Sequence, residues 1–309
     1  MDAAIFGLIV ADIIARPMDL RTPPRPGILL VLDNLEVTTG GNVCNVGLAM
    51  ARLGMSVAGA GLVGDDILGT ACVARLKAGG MDTSHVFADR RAQTSATVVA
   101  VESGGERCFF HSRGSTSLLD PDAFRRCFPV FATCAYVQIG YFGLLPNLTP
   151  HLAGLLQEMR TVLPNTKLAL DTSDPPEAEK YIWPILPYLD VFCPSRAEAQ
   201  VLSGESDPRK MIARFRQHMP NGLIGIKLDA QGCVLDDGRE QVTAPVYPID
   251  CIDTTGAGDT WYAGVLTALI KGMPLQQAAR FANRVAADCC TALGASAGVR
   301  SFEETMARL

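Results

Sequence analysis

The segment Asp253-Thr254-Thr255-Gly256-Ala257-Gly258-Asp259 carries more information about fold and chemistry than any other part of this sequence. The small residues at 256–258 let the backbone turn sharply and approach a ligand closely. The apolar run that follows predicts a helix, and the free N–H groups at its start favour a bound phosphate. Asp259 lies at the same helix start, placed to accept a proton from a hydroxyl group beside that phosphate. Taken alone, the segment also suits an ordinary glycine-rich turn in which Asp259 only complements the helix dipole.

A second polar segment, Gly40-Gly41-Asn42-Val43-Cys44-Asn45, opens a predicted helix at 43–53. Because an amide group both donates and accepts hydrogen bonds, its two asparagines suit the recognition of neighbouring hydroxyl groups. Asparagine that merely caps the helix is the simpler alternative. Asp12 is expected at the end of the first apolar strand, at the edge where open α/β sheets bind ligands, and is a candidate for holding a sugar diol.

Short apolar strands alternate with helical patterns on both sides of these segments. The predicted strands are 5–10, 56–63, 132–139, 167–171, 191–193 and 223–228. The predicted helices are 43–53, 67–77, 150–160, 177–187, 257–271 and 275–292. This alternation predicts an α/β fold with a mostly parallel sheet that is covered by helices on both faces.

Two segments depart from the alternation, since each has the pattern of a β-hairpin with no crossover helix after it. They pair 28–32 with 36–38, and 94–102 with 107–111. We expect these strands to form a small second sheet, a lid drawn from about 13–39 and 94–113, within a single domain spanning 1–309. The strands at 28–32 and 97–101 are too apolar for both faces to be wet, which predicts a homodimer formed through the lids.

The composition limits the class of protein. Of 309 residues, 48% are apolar and 19% are charged, which excludes a disordered chain. No apolar run approaches the ~20 residues of a membrane-spanning helix, and the ten cysteines contain no C-x-x-C zinc spacing. The net charge of −5 argues against nucleic acid or an anionic membrane as a partner, but not against a small anionic ligand. We therefore expect a cytoplasmic protein with small-molecule partners.

The segment Gly59-Ala60-Gly61-Leu62-Val63-Gly64 matches the G-x-G-x-x-G pattern of dinucleotide-binding turns. Two carboxylates, Asp65 and Asp66, follow its last glycine at the place where a pyrophosphate would meet the helix. Its strand also follows a helix instead of opening the fold. A dinucleotide-dependent dehydrogenase is therefore not expected, and phosphate binding is assigned to the turn at 256–259.

Together these segments resemble the ribokinase-like (PfkB) family of carbohydrate kinases over nearly the whole chain. The segment 40–45 is similar to the family's sugar-binding signature, and 253–259 is similar to its more specific C-terminal signature. The resemblance implies a three-layer α/β/α core with a small β-sheet lid. It also implies ATP- and Mg²⁺-dependent transfer of the γ-phosphate to a sugar hydroxymethyl group, with K⁺ or another monovalent cation behind the anion hole in many members.

The resemblance further implies roles for individual residues. Asp259 would be the general base, and the anion hole would be formed by Gly256, Ala257 and Gly258. The sugar would be bound by Asp12, Gly40, Gly41, Asn45 and Asp259. ATP and magnesium would be held near Ser195, Glu198, Lys227, Asp229, Gly232, Gly258 and Asn283. A monovalent cation would be held, mostly through backbone oxygens, by Asp253, Thr255, Cys289, Ala292, Gly294 and Gly298.

This chain departs from the family pattern at several positions. Ser195 replaces the Asn of the family's N-x-x-E, and Asp229 replaces a common Gly. Ribokinases proper carry Lys in place of Asn42 and a sugar-binding acid at Gly140-Tyr141, so ribose itself is not the expected substrate. Two alternatives stay open: a regulator that binds sugar or nucleotide without catalysis, and a nucleoside kinase. The aromatic residues that would form the latter's base slot are Phe109, Phe110, Tyr141 and Phe142.

Overall fold

The computed structural model describes residues 1–21, 25–104, 106–173 and 175–309. Positions 22–24 and 105, which fall inside the two predicted lid segments, lie outside the described residues. The strands are β1 (Ala3–Gly7), β2 (Val10–Arg16), β3 (Asn34–Gly40), β4 (Val57–Gly64), β5 (Asp82–Asp89), β6 (Ser95–Val101), β7 (Arg107–Ser112), β8 (Tyr136–Phe142), β9 (Lys167–Thr172), β10 (Val191–Phe192), β11 (Leu223–Lys227), β12 (Cys233–Asp236) and β13 (Gln241–Ala244). The helices are α1 (Asn42–Arg52), α2 (Ile67–Ala78), α3 (Pro121–Arg125), α4 (Phe128–Phe131), α5 (Leu152–Val162), α6 (Pro175–Glu179), α7 (Arg196–Ser203), α8 (Pro208–Arg216), α9 (Ala257–Ile270), α10 (Leu275–Cys289) and α11 (Phe302–Met306). Within this part of the chain, no helix is long and apolar enough to cross a membrane.

The main sheet has nine strands in the order β13-β12-β11-β10-β9-β8-β1-β4-β5. Neighbouring strands from β11 to β5 run parallel, and β12 and β13 are antiparallel additions at one edge. Successive residues of β1 point to opposite faces, with Ile5 in one apolar cluster and Phe6 in the other. Helices α1, α2, α9 and α10 cover the first face, and α3, α4, α5, α7 and α8 cover the second. The predicted three-layer α/β/α core is therefore confirmed.

Three core predictions need correction. The segment 177–187 is not one helix, because it contains only the end of α6 and a 3₁₀ turn at Leu186–Tyr188. The predicted strand 132–139 begins only at Tyr136, since α4 and the turn after it use the preceding residues. The sequence analysis does not predict β5, which lies at the sheet edge and has few fully buried residues. Its composition therefore lacks the apolar run of a central strand.

The smaller sheet, the lid, has four strands in the order β3-β2-β6-β7. The hairpin predicted at 94–102 and 107–111 is confirmed as β6 and β7. The strand predicted at 28–32 is wrong, since those residues are outside any strand and the lid begins with β2. The first apolar run therefore splits between core and lid, and Asp12 lies within a lid strand instead of at the end of β1. Asn42 holds the chain between β1 and β2, where the run divides. Its Oδ1 accepts a hydrogen bond from the N–H of Leu8 at 2.8 Å, and its Nδ2 donates to the carbonyl of Phe6 at 2.9 Å.

Two neighbouring rows of lid residues, which point to opposite faces, differ in chemistry. The strand register aligns a polar row on one face, made of Thr38, Asp12, Thr97 and His111. The next row points to the opposite face and is apolar, made of Val37, Ile13, Val98 and Phe110. Val37 and Phe110 in that row are 53% and 59% exposed. This row thus leaves apolar side chains exposed on one face of the lid.

The glycines of the G-x-G-x-x-G pattern lie within β4, in the interior of the main sheet. A Cβ on Gly61 would approach the carbonyl oxygen of Gly7 to 2.8 Å, so this glycine serves close strand packing. Asp66 caps α2 by accepting a 2.8 Å hydrogen bond from the N–H of Gly69. The pattern is therefore not a phosphate-binding turn, in agreement with the sequence analysis.

Candidate active site

A cavity of about 790 Å³ opens at the carboxyl ends of the parallel strands, beside the start of α9. This is the edge at which open α/β sheets bind ligands. All the residues predicted for catalysis and ATP binding line it, namely Ser195, Glu198, Lys227, Asp229, Gly232, Gly256, Ala257, Gly258, Asp259 and Asn283. Residues far apart in the chain thus surround one volume, and their individual roles stay predictions.

The start of α9 has the geometry of an anion site. Gly256 precedes the helix with a φ of 74°, a left-handed conformation that glycine adopts without strain. A Cβ there would approach the carbonyl oxygen of Ala295 to 2.3 Å. The N–H of Ala257 donates to the carbonyl of Thr254 at 3.2 Å. Since the first N–H groups of a helix lack helical partners, the remaining donors for a ligand are those of Gly256, Gly258 and Asp259.

Asp259 is buried at the inner end of the cavity. Its Oδ2 accepts hydrogen bonds from Asn45 Nδ2 and Tyr141 Oη, both at 2.8 Å. Burial raises the pKa of Asp259 above its usual value, although these two donors and the charge of Lys227 oppose the rise. Among the described residues, both side-chain hydrogen bonds to this carboxylate go to Oδ2. Oδ1 is therefore the oxygen left to accept a substrate proton.

Tyr141 holds Asp259 from the end of β8 with a φ of 55°, which is unusual for a residue other than glycine. The sequence analysis names Tyr141 only as a departure from ribokinases and as an aromatic candidate. Its hydroxyl instead donates a hydrogen bond to the Asp259 carboxylate. Burial raises the pKa of Tyr141 well above its usual value, so the phenol stays a donor.

Lys227 and Asp171 form a buried ion pair, with Nζ and Oδ1 separated by 2.9 Å. The nearby carboxylates hold the pKa of Lys227 above its usual value even though burial opposes this, so the ammonium group stays charged. Nζ is 3.8 Å from the point where a Cβ of Gly258 would lie, next to the anion site. The sequence analysis misses Asp171. The available indication was its position at the end of a buried strand, where ligand-facing side chains collect.

Ser195 and Glu198 form the capping box of α7. Glu198 Oε2 accepts from the N–H of Ser195 at 2.7 Å and from Thr172 Oγ1 at 2.9 Å. The serine that replaces the family's asparagine therefore serves the helix start well, and the Glu198 carboxylate still faces the cavity.

The segment 228–232, which follows β11 and includes two of the residues predicted to lie near ATP, lines the outer end of the cavity. Asp229 has a φ of 52°, and Gly232 has a φ of 92° with no room for a side chain beside Ala244. Asn283 is buried, accepts from Trp261 Nε1 at 2.9 Å and donates to the carbonyls of Ala244 and Pro245. The amide of Asn283 thus uses its hydrogen bonds within the protein. Asn283 lines the wall of the cavity without offering a free polar group to a ligand.

The predicted sugar-binding residues lie between the lid and the start of α1. Gly40 packs directly on the Asp12 carboxylate, because a Cβ there would approach Oδ2 to 2.1 Å. Burial raises the pKa of Asp12 to about 6, although a hydrogen bond with Thr97 opposes it. Asn45 reaches Asp259, which connects this polar region to the cavity. Asn42 has a structural role in the Leu8 and Phe6 contacts described above, so only one asparagine of this segment faces the site.

The predicted cation-binding residues also come together, although several of their oxygens already have partners. Asp253 accepts from the N–H groups of Thr255 and Gly294 at 2.8 and 2.9 Å. The thiol of Cys289 donates to the carbonyl of Thr255 at 3.6 Å, and the carbonyl of Cys289 accepts from the N–H of Ala292 at 3.4 Å. The backbone of Gly298 packs on the carbonyl of Cys289, and glycine brings no side-chain oxygen.

Comparison with known proteins gives a consistent result. The family described as "pfkB family carbohydrate kinase" matches residues 2–301. A ribokinase of Haemophilus influenzae is 26% identical over 288 residues, covering 91% of this chain and 90% of the relative. Fructokinase-1 of Oryza sativa subsp. japonica is 29% identical over 271 residues, covering 83% of each chain. The structure of Arabidopsis thaliana ribokinase complexed with ribose and ATP superposes with a TM-score of 0.82 at 19% identity, over 99% of this chain and 97% of that one.

Proposed function

The chain belongs to the pfkB family of carbohydrate kinases, and from this premise we propose how its site transfers phosphate from ATP to a sugar. The observation that carries the proposal is the convergence on one cavity of a buried carboxylate, an anion site and a buried lysine. Phosphoryl transfer needs little covalent help from the protein beyond positioning and charge stabilisation, and these groups supply both.

Asp259 is the proposed general base. A sugar hydroxyl between Asp259 and the start of α9 donates its proton to Oδ1 as its oxygen attacks the phosphorus in line. Asn45 and Tyr141 hold the carboxylate through Oδ2, so Oδ1 points in one direction. The N–H groups of Gly258 and Asp259 and the ammonium group of Lys227 stabilise the charge that develops on the transferred group.

The lining of the cavity fits ATP and Mg²⁺. Its inner end has the anion site and Lys227, and its outer end has apolar walls that suit a purine, including Val246, Ile249 and Ala286. The described residues contain no cluster of three or more His, Cys, Asp or Glu that would hold a metal by themselves. Mg²⁺ in kinases is bound by one or two carboxylates together with phosphates and water, for which Asp171 and Glu198 are the proposed ligands. Bound Mg²⁺ neutralises phosphate charge.

The geometry does not favour a nucleoside as the acceptor. Phe142 is fully buried in the core, whereas Phe110 is 59% exposed on the apolar face of the lid. Tyr141 is engaged with Asp259. Three of the four aromatic residues considered for a base slot are therefore buried, on the opposite lid face or already hydrogen-bonded, and Phe109, on the same lid face as His111, is the single candidate that remains. A polar row with Asp12, Thr97 and His111 instead suits an acceptor with several hydroxyl groups.

The first experiment measures ADP release from ATP with Mg²⁺ across pentoses, hexoses, keto-sugars, sugar acids and nucleosides. We expect one sugar or a small group of sugars to be phosphorylated much faster than any nucleoside. A nucleoside as the best acceptor would contradict the proposed substrate class. Thermal stabilisation by ATP without turnover of any acceptor would instead support the non-catalytic regulator.

A homodimer through the lids is the second proposal for this protein, supported by the apolar row of Val37, Ile13, Val98 and Phe110 on one face of the lid. Large apolar patches of this kind mark association surfaces. The double variant Val37→Glu/Phe110→Glu places charges on this face, and we expect it to sediment as a monomer where the unaltered protein sediments as a dimer. Val162→Glu alters a residue that is 53% exposed on α5 and should leave the dimer intact. A monomeric unaltered protein would refute the proposal.

A further inference from the structure

Arg107 joins the lid to the segment that precedes the anion site. It is the first residue of β7, and its Nη2 lies 2.8 Å from Asp253 Oδ1. Its Nη1 donates to the hydroxyl of Thr255. Asp253 is almost fully buried, and among the ion pairs of the described residues Arg107 is the cation that contacts it. The guanidinium therefore contacts two side chains of the segment that leads into the anion site.

A buried carboxylate at this position requires a positive charge. Asp253 precedes the anion site by only a few residues, so its unneutralised charge would oppose phosphate binding there. Burial alone would raise the pKa of Asp253, but the backbone donors of Gly294 and Thr255 and the guanidinium of Arg107 hold it below its usual value. The carboxylate is thus ionised and paired.

The same residues do not fit a monovalent cation in this arrangement. One Asp253 oxygen accepts from Arg107 and Thr255, and the other accepts from Gly294. The carbonyls of Thr255 and Cys289 have protein donors, as described above. A cation at this position would also lie beside the guanidinium, which repels it.

We propose that Arg107 replaces the monovalent cation as the positive charge behind the anion site, acting as a positioning residue for the kinase reaction. The inference rests on the proposed function. Because Arg107 is on the lid and Asp253 is on the core, the charge is in place when the lid lies over the site. Lid closure and ordering of the 253–258 segment are then one event, and the enzyme works without K⁺.

The test compares K⁺ with tetramethylammonium at equal ionic strength in the unaltered protein, in Arg107→Met and in Arg107→Lys. We expect K⁺ to change neither kcat nor the melting temperature of the unaltered protein. Without K⁺, kcat of Arg107→Met should fall by about tenfold or more, because a buried carboxylate loses its partner. K⁺ should then restore part of kcat and raise the melting temperature, since the vacated oxygens can bind it. Arg107→Lys should retain much of the K⁺-independent rate.

Arg75→Met, which removes an exposed arginine on α2, is the matched control and should behave as the unaltered protein. A specific rise of rate and melting temperature with K⁺ in the unaltered protein would overturn the inference while leaving the kinase function intact. Loss of rate in Arg107→Met without any rescue by K⁺ would also overturn it. If no sugar is phosphorylated, the proposed function fails, and the melting temperatures alone still decide whether Arg107→Met gains a K⁺ site.

Discussion

Replacing Asp259 by asparagine is expected to lower kcat by about 10²–10⁴-fold with little change in the binding of ATP, because the variant loses the proton acceptor. The substituted side chain remains compatible with its surroundings. An amide oxygen can still accept from Asn45 and Tyr141, which now donate to Oδ2 at 2.8 Å. ADP release with the best sugar measures the effect, and the melting temperature checks that the variant is folded.

Asp250→Asn is the matched control for this experiment, since Asp250 is an exposed carboxylate on the loop that leads to the same helix. It should retain full activity. If Asp259→Asn kept kcat within about tenfold of the unaltered enzyme, a contribution below that of general bases, Asp259 would not be the base even though the chain remains a kinase.

Replacing Lys227 by methionine is expected to reduce kcat/KM for ATP by about 10²-fold or more, because the site loses a fixed positive charge at the transferred phosphate. It should also destabilise the fold by about 3–5 kcal/mol, because Asp171 is left buried without its partner. Chemical unfolding measures the second effect. Burial already raises the pKa of Asp171 to about 7, so protonation relieves part of the penalty as the pH falls.

The double variant Asp171→Asn/Lys227→Met separates the two effects. It removes both charges, so most of the stability should return, while the activity stays low because the charge of Lys227 and the proposed Mg²⁺ ligand Asp171 are both missing. Lys210→Met, at an exposed position on α8, is the control and should change neither property. Recovery of activity together with stability in the double variant would mean that Lys227 acts only through the fold.

The pH dependence gives a further readout for Lys227. Asp259 must be ionised to accept a proton, so kcat/KM falls as the pH drops through the pKa of Asp259. Lys227 lowers that pKa. Its removal should therefore move the acid limb of the profile to higher pH, whereas a purely structural role would leave the limb in place.

Several parts of the fold are predictable because the relevant information is local. Apolar runs such as those of β1, β9 and β11 predict a buried parallel sheet when the segments between them along the chain have helical patterns. The edge strand β5 is missed because only one of its eight residues is fully buried and its apolar stretch, 86–88, is short. The first lid strand is misplaced because the predicted strand 5–10 is divided between β1 and β2. This division depends on Asn42, a residue from a different segment.

The sequence by itself determined where the proposed anion site and base lie, because Gly256, Gly258 and Asp259 fall within four consecutive residues and one turn of backbone places them together. Only the tertiary structure decided which groups act on them. Tyr141 reaches Asp259 across 118 residues of chain, and Arg107 reaches Thr255 across 148. Such contacts depend on how the sheet, the lid and α9 pack in three dimensions, and no local spacing encodes them. Asp171 could be recognised as a site residue only in the structure for the same reason, since it pairs with Lys227 on another strand.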